Sequence, residues 1–171
     1  MLAILALAVL GVGAGLVFFS SRDRAGVSDQ AAGPGEAFPD QGHRHLRAGE
    51  RPGMPYASDP PTNGPHVPVA IRRDASTLSD DELLQALEQG NVVLLYGEPR
   101  PPEPLRRLAR DVNQGAFSPD LAASGQAVIL GRRPGTRGVV VLAWRHLLRA
   151  SDPRDPALRA FADAWLGRGP G

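Results

Sequence analysis

The chain has 171 residues, room for one ordinary domain and its appendages. Its 19 basic and 18 acidic side chains nearly cancel and every basic one is arginine, so the basic excess that nucleic acid demands is missing and that partner class is excluded. No cysteine is present, which excludes disulfides, thiolate nucleophiles, cysteine zinc sites and iron–sulfur clusters.

Residues 1–19, "MLAILALAVLGVGAGLVFF", carry no charged or polar side chain. As a helix this run spans about 28 Å, close to the hydrocarbon thickness of a bilayer. It is longer than a signal-peptide core, and no small-x-small cleavage site follows in "FFSSRDRAG", so an uncleaved single-pass anchor is expected, with membrane lipid as its partner. Arg22 and Arg24 after the run favour a cytoplasmic domain by charge. Analogy with signal-anchored proteins favours an extracytoplasmic one, with a short basic leader ahead of Met1. The extracytoplasmic placement at the cell membrane is the expectation adopted. Gly11 and Gly15 make the spacing that lets two membrane helices approach closely, a candidate for self-association that also arises by chance in glycine-rich spans.

Residues 20–53 hold almost no large apolar side chain and read as a flexible tether. His43 and His45 form an H-x-H pair within it. The folded domain is expected over residues 54–167, with 168–171 as a tail. Its first segment, "YASDPPTNGPH" over 56–66, concentrates prolines around His66, with Gly64 free to take positive φ. Such a loop costs little further entropy to hold His66 in one direction; covering a sheet edge is the plainer alternative.

Three helices follow from capping and periodicity. "SDDELLQALEQG", residues 79–90, opens with a Ser79–Glu82 capping box, buries Leu83, Leu84 and Leu87, and ends at Gly90. A second begins at Glu103 with Pro104 in its first turn. A third, "DPALRAFADAWLG" at 155–167, is capped by Asp155 and presents Leu158, Phe161, Ala162 and Trp165 at helical spacing. Between them, "VVLLY" (92–96), "AVIL" (127–130) and "VVVLAW" (139–144) read as strands buried on both faces, with "GRRPGTRG" (131–138) as a hairpin connection. The expected fold is α+β: a sheet of three or four strands with three packed helices behind the membrane anchor.

The segments "QGHRHLRAGE", "PPTNGPH", "LQALEQGNVVLLYG" and "VVVLAW" together resemble the bacterial family called domain of unknown function 3105, over residues 41–166. The resemblance implies a single-span membrane protein and brings no activity with it. It also implies paired histidines on the first helix, where this chain carries Gln85 and Gln89 around Glu88, and a serine where Asn63 stands. Two imidazoles four residues apart share a helix face and suit one metal ion, whereas neutral amides are poor ligands for zinc or copper.

Three functional readings result. The first is an extracytoplasmic binding or accessory domain with a ligand cleft at Thr62, Asn63, His66, Gln85, Glu88 and Gln89. The second is a copper- or zinc-handling protein with a degenerate site that keeps His45 and His66. The third is an enzyme using His66 and Glu88 as acid and base. No nucleophile elbow, P-loop, zinc-protease or calcium-loop pattern supports a known catalytic constellation. His146 is expected at the surface, and Trp144 and Trp165 in the core.

Overall fold

The computed structural model describes residues 33–170; the expected membrane segment, Gly11 and Gly15 lie outside them. No helix among the described residues is long and apolar enough to cross a membrane. The fold is mixed α+β, built on a six-stranded sheet. In chain order its strands are β1 (Glu36–Ala37), β2 (Ser76–Thr77), β3 (Val92–Tyr96), β4 (Val128–Arg132), β5 (Val139–Ala143) and β6 (His146–Ala150). Among the described residues four helices accompany them: α1 (Asp80–Glu88), α2 (Glu103–Val112), α3 (Pro119–Ala123) and α4 (Pro156–Trp165).

Across the sheet the order is β1-β6-β5-β3-β4-β2. β3 pairs in parallel with β4 (Leu94 opposite Leu130) and antiparallel with β5 (Leu94 opposite Val141). The apolar runs of β3 and β5 are buried along their whole length, because helices cover both faces of the sheet. Side chains alternate between the two faces. On one, Val92, Leu94 and Tyr96 of β3 meet Leu105 of α2 and Leu158, Phe161 and Trp165 of α4. On the other, Val93 and Leu95 meet Leu83 and Leu87 of α1 and Ala122 of α3. Each such fully buried Leu or Phe contributes about 1.5–3 kcal/mol relative to exposure.

The ends of α1 fix the face that later matters. The capping box forms: Glu82 N–H donates to Ser79 Oγ (3.2 Å), and Ser79 N–H to Glu82 Oε2 (2.9 Å). Gly90, at φ +102°, terminates it. The wholly buried Asn91 then donates to the carbonyls of Ala86 (3.0 Å) and Ala122 (2.8 Å) and accepts from Ala127 N–H (2.9 Å), pinning the helix end between α3 and the entry to β4.

Three expectations change. The sheet has six strands instead of three or four, because β1 and β2 are too short for any period and β6, "HLLRA", mixes polar with apolar. A fourth helix, α3, is only five residues long, set up by Ser118 and Pro119. Residues 131–138 do not close a hairpin: β4 and β5 lie on opposite sides of β3, so the connection crosses the end of that strand. Gly97 permits the crossing, since a Cβ there would collide with the Thr136 carbonyl. The tight hairpin is β5–β6, turned by Trp144 and Arg145.

Residues that composition assigns to the tether also meet this body. Glu36 and Ala37 pair with Leu147 and His146, Trp165 Nε1–H donates to the Pro34 carbonyl (2.9 Å), and Leu46 is buried. Backbone pairing and single anchor side chains hold this stretch, which is why its apolar content gave no sign of it.

Candidate metal centre

The proline-rich loop is bonded at nearly every step. Tyr56 Oη–H donates to the Pro65 carbonyl (2.8 Å), and its ring packs on Gly64, whose φ of +125° and lack of a Cβ both require glycine. Thr62 and Ser58 share a hydroxyl hydrogen bond (3.1 Å). Asn63 Oδ1 accepts from Gln41 N–H (2.6 Å) while its Nδ2 donates to the Pro39 carbonyl (3.1 Å). Past the histidine, Val67 N–H donates to Asp81 Oδ1 on α1 (2.9 Å).

Arg145 ties these strands of chain together from the β5–β6 turn. It sits at φ +64°, costly for a side chain of its size, and its main chain is engaged on both sides. Its N–H donates to the Thr62 carbonyl (3.0 Å), its carbonyl accepts from Phe38 N–H (2.8 Å), and Nε donates to the Phe38 carbonyl (3.1 Å). The segment carrying His45 is thereby laid beside the loop carrying His66. Leu46 N–H donates to the His66 carbonyl (2.8 Å), and His66 N–H to the Arg44 carbonyl (3.2 Å).

The result is a convergence of three side chains. His45 Nε2 lies 3.0 Å and His66 Nε2 lies 3.1 Å from the same Glu88 oxygen, Oε2. One ligand atom from each of His45, His66 and Glu88 falls within 4.8 Å of the others. The two imidazoles meet edge to face, with ring centres 5.4 Å apart. His66 is completely buried, Glu88 is partly buried (15% exposed), and His45 is half exposed (50%), so the group opens to solvent on the His45 side.

The tautomer of His66 follows from its surroundings. Nδ1 is 3.0 Å from the Gly64 carbonyl, which only accepts, so Nδ1 carries the hydrogen and Nε2 of the neutral ring carries a lone pair. Nε2 lies 3.1 Å from a carboxylate oxygen, Glu88 Oε2, yet is buried without a hydrogen-bond partner. Glu88 Oε2 is already hydrogen-bonded to His45 Nε2 (3.0 Å), and in the neutral His66 ring the Nε2 lone pair and that oxygen repel, a contact that a bound cation or a proton on Nε2 relieves. The backbone-bonded imidazole is also the arrangement that orients histidine toward a metal.

The structure brings His45, His66 and Glu88 together and leaves the other expected site residues aside. Thr62 and Asn63 are buried and hydrogen-bonded within the scaffold. Gln85 shares the helix face of Glu88 and keeps a buried Oε1 without a hydrogen-bond partner, while Gln89 is exposed. His43 meets the edge of Trp144, with ring centres 6.4 Å apart, and lies outside the group. His146 is half-buried instead of at the surface, stacked on Trp165 at 3.6 Å. Trp144 and Trp165 are both in the core, as expected. Sequence reasoning missed Asp81, Asn91 and Arg145 as the residues that position the group. Gly90-Asn91 is a turn signal in the sequence, but nothing local marks Arg145.

Against known proteins, the family model described as "Protein of unknown function (DUF3105)" matches residues 49–171. The chain belongs to this family. No curated protein and no solved structure matches it. The matched span includes the His66 loop, all of α1 and the whole sheet except β1, and begins just after His45.

Proposed function

We propose that this DUF3105 protein is a membrane-tethered, extracytoplasmic metal-binding domain that takes a divalent transition ion at His45, His66 and Glu88. The observation that carries the reading is the buried, unpartnered Nε2 of His66 facing Glu88 Oε2, with His45 closing the third side. Two imidazoles and one carboxylate suit Zn(II) and Cu(II), with Cu(II) binding more tightly by intrinsic preference. Metal–nitrogen and metal–oxygen distances of about 2.0–2.2 Å put tetrahedral ligand atoms about 3.3 Å apart, so the two nitrogen–oxygen gaps of 3.0 and 3.1 Å widen by a few tenths of an ångström around the ion. Complete burial of His66 favours a ligand over an acid–base group that meets substrate directly. The exposed side at His45 leaves a coordination position for water or an incoming ligand, as at exchangeable or catalytic sites and unlike closed structural ones.

Tethering rests on the unbroken apolar run at residues 1–19. The anchor is tested by cell fractionation: recovery of the full-length chain in the aqueous fraction, leading residues intact, would overturn it. Protease accessibility in intact cells against inverted vesicles reads the side of the membrane.

The metal reading is tested by calorimetric titration of the full chain with Zn(II) and with Cu(II). Saturable binding at one equivalent, tighter than micromolar, is expected. His66→Ala should weaken it by more than about 100-fold, the upper end of what even outer partners of a metal ligand control, while His43→Ala leaves it unchanged. At 100 times Kd the ion should add about 2.7 kcal/mol to stability, read as a rise in Tm. Absence of binding in the wild-type chain, or equal binding in His66→Ala, overturns the proposal.

A further inference from the structure

A second group of side chains converges at the far end of the same loop. Asp59 and Pro60, the crossover Arg133–Arg137, Val140 of β5 and Arg149 of β6 line a cavity of about 460 Å³. That is within the range of roughly 300–1,000 Å³ typical of small-molecule sites. Three arginines and one carboxylate line it, a surplus of two positive charges of which Asp80, paired with Arg133 from outside the lining, offsets one.

The donors outnumber their uses. Arg133 spends Nη2 on Asp59 Oδ1 (2.8 Å) and Nη1 on Asp80 Oδ1 (2.8 Å), which fixes its orientation. Arg149 gives Nη2 to the Asp59 carbonyl (2.6 Å). Arg137 has no hydrogen-bond or ion-pair partner among the described residues. Each guanidinium carries five N–H donors in a planar fork matched to phosphate and carboxylate oxygens. The Asp59 carboxylate, 87% exposed, already occupies one edge of the cradle as a built-in anion that an incoming one can displace. Pro60, Pro134 and Val140 add apolar surface for the body of a ligand, and Thr136 adds a hydroxyl.

The geometry points to this cavity as a binding site for an organic phosphate, its phosphoryl group held between Arg133, Arg137 and Arg149 and its carbon skeleton against Pro60, Pro134 and Val140. A phosphoryl group is favoured over a carboxylate because three forks approach from three segments, the two flanks of the crossover and β6, and a tetrahedral group offers oxygens to all of them. The site is separate from the metal group and does not depend on it.

The test is calorimetric titration of the full chain, in neutral detergent and metal-free buffer, with two phosphate sources. One is glycerol 3-phosphate, a free phosphate monoester; the other is dihexanoyl-phosphatidylglycerol below its micellar concentration, a lipid headgroup, with dihexanoyl-phosphatidylcholine as the neutral control. Saturable binding of either anionic probe is expected, and the preferred one identifies the source. Arg137→Gln combined with Arg149→Gln should weaken it at least tenfold. Both residues are exposed, so an unchanged Tm reports an intact fold. Asp59→Asn should tighten it by removing the internal competitor. No binding of either probe, or equal affinity in the double arginine variant, overturns the inference.

Discussion

His66 and His146 each direct Nδ1 to the carbonyl two residues upstream, at 3.0 and 2.9 Å, and each keeps a buried Nε2 with no hydrogen-bond partner. Their surroundings separate them. Around His66 stand a carboxylate oxygen at 3.1 Å and a second imidazole; around His146 the Trp165 ring is stacked at 3.6 Å and nearly parallel. Burial holds His146 below the usual imidazole pKa, and the neighbouring Arg145 charge pushes the same way. It is a neutral packing group. An orphaned ring nitrogen therefore does not make a ligand. Other donors converging on the same point do, and it is the scaffold of Arg145, Asn63 and Asp81 that brings them.

The sharpest way to break that contrast is to remove what surrounds His146. Trp165→Ala deletes its stacking partner together with a large part of the core under α4, and should cost about 3–5 kcal/mol in chemical denaturation. Metal affinity of the folded fraction should not move. If it falls with stability, the two histidines are not independent. A smaller effect comes from enriching the other side. Gln85→His places an imidazole one helical turn before Glu88, on the same face, and replaces a buried amide oxygen that has no partner. Zn(II) affinity should rise about tenfold, the low end of what neighbours of a bound metal contribute. A variant that binds no better would show that position 85 faces away from the ion.

Much of this was legible in the sequence, and for physical reasons. The Ser79–Glu82 box and the Asp155–Pro156 start announce α1 and α4 through strictly local chemistry. The runs at 92–96 and 139–143 announce strands because both faces are buried. Proline spacing singles out His66, and the sequence offers His45 and Glu88 as its partners. What stayed hidden depends on distant partners. Glu36–Ala37 and Ser76–Thr77 are strands only because β6 and β4 offer them an edge. The order β5-β3-β4 is likewise set by packing, and a Pro-Gly connection reads the same whether it closes a hairpin or crosses a strand end. Thr62 and Asn63 drew attention as a cleft because rigidity is visible locally, whereas the side their polar groups face is not.

The smallest effect expected is in pH dependence, and it sharpens the contrast from the side of His146. Its folded pKa lies below the ordinary value near 6.5, so as pH falls the unfolded chain takes up this proton first. Stability from this group is fully present above the unfolded value and declines as pH drops through it toward the folded one. His146→Phe keeps a ring stacked on Trp165 but cannot titrate, so the wild-type chain should lose more stability than the variant between about pH 7 and 5. Asp74 works in the opposite direction at lower pH, since burial raises its carboxyl pKa and the folded state protonates first. It bonds the Leu130 amide in β4, two strands away from β6's neighbour β5, and cancels when the two chains are compared. Parallel stability curves for the two proteins would mean that His146 takes its proton as readily folded as unfolded, and that the stacked ring is not the desolvated group described here.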